Sequence, residues 1–215
     1  MEKVFDNIFN NKIWGSTETV SGPGSTVTAT SSLRNYFSQN HNIKICDIPC
    51  GDMNWMRLVC NSFDKYYGID IVAEISKKNK VQFETNKAQF DSGDICTIDF
   101  ASMDIDTIFT RDCLVHFSLK DILLALNNIT NSNAKYLMMT HFTGNRDFRD
   151  IVTGDWRPIN FCKEPFNLDQ PEEIINEGCL EGDGIFTDKS IGKWSIDSIR
   201  KSLQKLNKCY KITIV

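Results

Sequence analysis

No run of about 18 apolar residues occurs anywhere in this 215-residue chain, so no membrane-spanning helix is expected. A basic excess is missing too. The 24 Lys and Arg stand against 28 Asp and Glu, for a formal net charge of −4. A protein that grips a phosphate backbone carries a basic face, so nucleic acid is not an expected partner. Histidine is scarce, with three residues, and the eight cysteines never form a Cys-x-x-Cys pair. Structural zinc needs such pairs, and no metal site is expected. The opening Met1-Glu2-Lys3-Val4-Phe5-Asp6 lacks the charged-then-apolar layout of a signal peptide. A cytoplasmic protein with free thiols is the expectation. Repeats and low-complexity tracts are absent as well. With 41% apolar residues, positions 1–215 read as one domain with a single core.

What is present centres on residues 44–55. The apolar stretch Ile43-Lys44-Ile45-Cys46 reads as a strand that ends on Asp47 and turns through Pro49, Cys50 and Gly51. Gly51 takes positive φ freely and lets a ligand approach the backbone. Asp52 then reads as the N-cap of a following helix. Nineteen residues beyond Gly51, a second strand, Tyr66-Tyr67-Gly68-Ile69-Asp70, ends on another carboxylate. Strand, tight turn, helix and an acid about 20 residues on is how an α/β domain holds the ribose of an adenosine.

The turn also narrows the choice of cofactor. A dinucleotide calls for Gly-x-Gly-x-x-Gly, and the first glycine position here is Pro49. As an N-cap, Asp52 would stand where a pyrophosphate sits, and two anions repel. An adenosine that carries a sulfonium and an amino-acid tail meets no such conflict. S-adenosylmethionine is therefore expected rather than NAD or FAD. Cys46-x-x-x-Cys50 matches two thirds of an iron–sulfur triplet, but the third position holds Met53.

Asp47-Ile48-Pro49-Cys50-Gly51-Asp52 resembles the first motif, D-x-G-x-G-x-G, of class I SAM-dependent methyltransferases, with Pro49 and Met53 in place of two glycines. Gly68-Ile69-Asp70 resembles their second motif, and Ser92-Gly93-Asp94-Ile95 the acidic turn that holds the adenine. Together these motifs cover about residues 44–140. The resemblance implies a Rossmann-like α/β fold: a mostly parallel seven-stranded sheet with an antiparallel terminal strand and helices on both faces. It implies a cofactor set of Asp47, Pro49, Cys50, Gly51, Asp52, Asp70, Ile71, Asp94, Ile95 and Arg111. The flanks, Trp14–Thr26 and Gly154–Lys193, resemble a subgroup associated with bacterial surface-polysaccharide gene clusters. That implies a sugar, sugar nucleotide or phosphoramidate-type acceptor for a capsule.

Periodicity sets the remaining expectations. Strands are expected at 44–47, 64–70, 88–91, 105–110 and 135–140, with a last strand at 210–215. Ser118-x-x-Asp121 reads as the cap of an apolar helix, and Ile196, Ile199, Leu203 and Leu206 have helical spacing. Asp112 and His116 follow the fourth strand, where open α/β sheets place ligands. Methyl transfer to oxygen needs an aligned acceptor and a base, so His116 is the first candidate and Asp112, four residues earlier, its orienting acid. His141, after the fifth strand, is the alternative base. Residues 1–40 read as an N-terminal arm or lid and 141–193 as an acceptor-side insertion. Trp14, Ser21, Ser25, Arg146, Asp155, Trp156 and Arg157 are the candidate acceptor contacts, on a polar, aromatic-bearing stretch that suits a polyhydroxylated or anionic group. A monomer or homodimer is expected. Two rivals stand beside an O-methyltransferase: a SAM-binding partner or sensor without catalysis, and a methyltransferase of another small metabolite.

Overall fold

The computed structural model describes residues 1–14 and 30–210. Seven strands form one sheet in the order β3-β2-β1-β4-β5-β7-β6. They are β1 (Lys44–Asp47), β2 (Lys65–Asp70), β3 (Ala88–Ser92), β4 (Thr107–Thr110), β5 (Tyr136–Phe142), β6 (Glu173–Asn176) and β7 (Lys189–Ser195). Neighbours from β3 to β5 run parallel, and β7 runs antiparallel to both β5 and β6. The order reverses between β1 and β4. Two strands diverge there, and a crevice opens beyond their carboxyl ends.

Alternation along the strands builds a core on each face. Cys46, Ile108, Leu137 and Met139 join one apolar cluster, and Ile45, Phe109 and Met138 join the other. The first cluster is covered by α4 (Leu119–Thr130) through Ile122, Leu126 and Ile129, and by α5 (Ile196–Tyr210) through Ile199 and Leu203. The second is covered by Leu33 and Phe37 of α2 (Ser31–Gln39). α3 (Ala73–Phe83) follows β2. Ser118 caps α4 as its sequence implies, with its hydroxyl accepting the Asp121 amide at 3.2 Å.

Three expectations change. No α-helix follows β1. Two single 3₁₀ turns, Met56–Leu58 and Cys60–Ser62, take its place. The Asp52 carboxylate accepts the Asn54 amide at 3.1 Å, and Met53 sits at φ 61°, so the chain turns locally instead of entering a helix. The antiparallel strand is 189–195; residues 211–215 lie outside the described residues, and Tyr210 ends α5. The 141–193 stretch is only partly an insertion, since it supplies β6 and β7. α1 (Glu2–Asn10) packs across the sheet's carboxyl edge onto the loop at Gly154. A Cβ on Gly154 would come within 2.8 Å of Val4, and its φ is 110°, so this glycine permits the close seat.

Candidate active site

A cavity of about 180 Å³ opens at the point where β1 and β4 diverge, roofed by α1 and the residues after it. A single water needs about 10–15 Å³, so this space is of ligand size. The turn after β1 forms one wall. Gly51 sits at φ 57°, and a Cβ there would meet nothing within 4 Å, so backbone conformation selects the glycine. Asp70 spans the turn: one carboxylate oxygen accepts the Gly51 amide at 3.0 Å and the other the Val72 amide at 2.9 Å. A carboxylate offers about four acceptor positions, so each oxygen keeps one for a ligand. Burial pushes Asp70 up to about 6 against the pull of those two amides. Asn79, reaching from α3, donates to the Gly51 carbonyl at 2.7 Å and braces the same turn.

Asp47 lies deeper, with the Tyr66 hydroxyl donating to it at 2.7 Å. Burial, reinforced by the charge of Asp70, pushes it up to about 8, while the Tyr66 hydrogen bond and Arg111 pull the other way. Asp94 and Ile95 close the far side, and Ile71 follows Asp70 along the lining.

The opposite wall carries Phe5, Trp14, Asp112, His116 and Phe117. A 3₁₀ turn, Leu114–His116, presents the imidazole. The loop beside it is pinned at several points. The Gly154 amide donates to the His116 carbonyl at 2.8 Å, the Arg157 amide to Val115 at 3.1 Å, and the Ser118 amide to the Thr153 hydroxyl at 2.9 Å. His116 Nδ1 lies 2.8 Å from the Asp155 carbonyl oxygen. A carbonyl only accepts, so Nδ1 carries the proton and Nε2 keeps its lone pair. Burial lowers the imidazole's pKa, against the Asp155 hydrogen bond and the Asp112 charge, so the ring is neutral at pH 7. Trp14 stacks on it with ring centroids 4.2 Å apart.

Behind this wall lies a buried cluster of four charges. Arg111 meets Glu177 through Nε at 3.1 Å and Nη2 at 2.8 Å, and Lys189 meets Asp112 at 2.7 Å. Arg111 Nη1 also reaches Asp112 at 3.2 Å, and Lys189 reaches Glu177 at 3.5 Å. Asp112 itself has a left-handed φ of 53°.

Residues 45–133 match the family model for a methyltransferase domain. Phosphoethanolamine N-methyltransferase of Plasmodium falciparum is 28% identical over 121 residues, 55% of this chain and 42% of that protein. This chain thus spans about two fifths of the length of that curated relative. Among solved structures, magnesium protoporphyrin IX methyltransferase from Synechocystis PCC 6803 with bound SAM aligns over 90% of this chain and 96% of its own, with TM-score 0.58 and 12% identity. Haemonchus contortus phosphoethanolamine N-methyltransferase 1, in complex with phosphoethanolamine and S-adenosylhomocysteine, covers 98% of this chain and 54% of its own, with TM-score 0.61 and 12% identity. Residues 45–133 thus carry the match to a methyltransferase domain, and the fold is the one these SAM- and SAH-bound methyltransferases share.

S-adenosylmethionine is the cofactor of such a domain, and the residues lining the cavity suit it. Asp47, Pro49, Cys50, Gly51, Asp52, Asp70, Ile71, Asp94, Ile95 and Arg111 all line the cavity. With no helix beginning at Asp52, no row of free helix amides faces the cavity there. Asp52 is thus not the helix N-cap carboxylate expected from the sequence.

The acceptor-side residues divide. Trp14, Asp112 and His116 line the cavity, whereas His141, Arg146, Asp155, Trp156 and Arg157 do not. His141 is buried beside Trp194, and its Nδ1 accepts the Phe161 amide. Desolvation lowers it to about 4, and its place is structural because β7 covers the strand edge that the sequence leaves open. Arg146 is bound to Asp188 and lies over Phe142. Trp156 packs on Phe142 and Phe186. Arg157 is buried over Phe148. Asp155 contributes its carbonyl rather than its side chain. Ser21 and Ser25 lie outside the described residues. Asp112 is not the acid that orients His116; the 3₁₀ turn between them is not the α-turn assumed from the spacing, and the Asp155 carbonyl does that work.

Lys189, Glu177, Asn79 and the α1 residue Phe5 escape a reading of the sequence. No local pattern marks Lys189 and Glu177. Only the pairing of β7 with β5, and of β6 with β7, brings them to Asp112 and Arg111.

Proposed function

We propose that this chain is an O-methyltransferase acting on a small polar acceptor, with His116 as the base that takes the acceptor's proton. The observation that carries the reading is the 2.8 Å contact of His116 Nδ1 with the Asp155 carbonyl. It leaves Nε2 as a lone-pair acceptor on a cavity-lining, neutral imidazole. Bound S-adenosylmethionine supplies an electrophilic methyl group on a sulfonium centre. Asp70 and Asp94 are suited to hold its adenosine, and Ile71 and Ile95 to flank the ring. α1 and Trp14 exclude water from the side where the acceptor enters, and Nε2 removes the hydroxyl proton as the oxygen attacks.

The flank resemblance supports a sugar or phosphoramidate-type group of a bacterial surface polysaccharide, modified in the cytoplasm. Of these the neutral sugar hydroxyl fits better, because Asp47, Asp52, Asp70, Asp94 and Asp112 all line the cavity. A second reading has its own support. The relative named phosphoethanolamine N-methyltransferase makes an amine a reasonable acceptor here. A panel of hexoses, sugar nucleotides, ethanolamine and phosphoethanolamine, assayed with methyl-labelled S-adenosylmethionine, tests the proposal. Acceptor-dependent formation of S-adenosylhomocysteine that disappears in His116→Ala is expected. Binding of S-adenosylhomocysteine without turnover on any acceptor would favour the sensor reading.

A further inference from the structure

The role of Asp112 is left open once the Asp155 carbonyl is seen to hold His116. Its surroundings are specific. Oδ2 is taken by Lys189 at 2.7 Å and by Arg111 at 3.2 Å. Among the described residues, Oδ1 has only a long contact, 3.5 Å, from the Thr140 hydroxyl, whose oxygen meanwhile accepts the Asp112 amide at 2.7 Å. The Lys189 and Glu177 side chains are 8% and 0% exposed, whereas that of Asp112 is 22% exposed and lines the cavity. A non-glycine residue at φ 53° is a strained placement that the surroundings must over-determine.

The cations of the cluster are spent internally. Arg111 commits Nε and Nη2 to Glu177 and Nη1 to Asp112, and Lys189 bridges the two acids. Two positive and two negative groups cancel, and the member whose side chain is most exposed, and which lines the cavity, is an acceptor. Burial opposes ionisation of Asp112, but Arg111 and Lys189 outweigh it and hold the carboxyl well below the usual range. Besides Arg111, the lining carries Lys12, which also borders a groove with Asp52, and the Met1 amino group.

We propose that Asp112 is the acceptor's anchor: Oδ1 accepts a hydrogen bond from a hydroxyl or ammonium group of the acceptor, and the site rejects phosphate-type anions. The inference rests on the methyl-transfer reading above and gives its acceptor a chemical class. A fixed negative charge with one free oxygen favours a donor, most strongly a cationic one, and repels an oxyanion. The aromatic rings of Phe5, Trp14 and Phe117 on the same wall suit an ammonium group further.

The test begins with protein saturated with S-adenosylhomocysteine and uses ethanolamine, methyl glucoside and inorganic phosphate as probes in thermal-shift titrations. Saturable stabilisation by ethanolamine, or by it and the glucoside, is expected in the wild type. It is lost in Asp112→Asn, with S-adenosylhomocysteine affinity unchanged, and phosphate gives no saturable shift. If the single variant fails to fold, the paired Asp112→Asn/Lys189→Met change keeps the cluster neutral and is read in the same way. With any acceptor that turns over, Asp112→Asn should raise KM about 10–100-fold and leave kcat nearly unchanged, as loss of a charged hydrogen bond would. Saturable binding of phosphate, donor binding that persists in the variant, or no saturable shift with either donor overturns the proposal. So does a fall in kcat at unchanged KM, which would make Asp112 part of the base. Failure of the wild type to bind S-adenosylhomocysteine at all is a separate result and counts against the methyl-transfer reading itself.

Discussion

The indole of Trp14 lies on the imidazole of His116, with centroids 4.2 Å apart and planes inclined by 29°. This contact joins the N-terminal segment to the candidate base, and it buries the ring whose neutral form the reaction needs. If His116 takes the proton, kcat rises with pH through one ionisation below the ordinary histidine value of 6.5, because burial lowers that pKa. His116→Ala should lower kcat roughly 10²–10⁴-fold and remove the limb, with cofactor affinity intact. Trp14→Ala should move the limb upward toward 6.5 by letting water reach the ring. A pH–rate profile of each variant decides the matter.

Asp47 makes stability fall with rising pH. Its carboxyl is held at about 8 in the fold against 3.8 when unfolded, so the folded state keeps a proton that the unfolded chain has already released. The stabilisation is complete below about 4 and is lost as pH climbs to about 8. Asp70, at about 6, acts in the same direction over a narrower window. The melting temperature of Asp47→Asn relative to wild type, both free of cofactor, should increase across this range and level off above it. A difference that is flat with pH would contradict the burial account.

Glu177 should matter more to stability than any surface acid. Its side chain is fully buried, and it balances both Arg111 and Lys189. Glu177→Gln leaves uncompensated buried charge, and a cost of about 3–5 kcal/mol is expected in urea denaturation. Adding Lys189→Met should return part of it. Strict additivity of the two changes would show that the groups are not coupled.

Among the described residues no three His, Cys, Asp or Glu side chains are grouped to hold a metal ion. Turnover is expected to persist in EDTA, on the scarcity of histidine and of paired cysteines in the sequence. Complete loss restored by magnesium would require a site that includes Asp112.

The wall of the cavity around Gly51 and Asp70 was more legible in the sequence than the wall around Asp112 and His116, for a physical reason. Gly51, in the turn after β1, and Asp70, at the end of β2, are nineteen residues apart, and that spacing is set by one strand–connection–strand unit, so it is local information. β1 is found where alternation and its turn residues put it, at Lys44–Asp47. The α-helix assumed after it is missing because Met53 takes a left-handed φ and Asp52 caps a turn, choices that depend on the surrounding fold. Likewise His141 reads as a strand-end base until β7 pairs along its whole strand and closes over it. Lys189 lies 77 residues from Asp112, and no pattern short of the folded sheet links them.

The most direct test of the central claim is calorimetric titration of the full chain with S-adenosylhomocysteine and, separately, with NADH. Saturable binding of S-adenosylhomocysteine, abolished or strongly weakened by Asp70→Ala in a variant that still melts cooperatively, with no heat from NADH, is the expected result. Binding of NADH alone, or S-adenosylhomocysteine affinity unchanged by Asp70→Ala, would contradict the account.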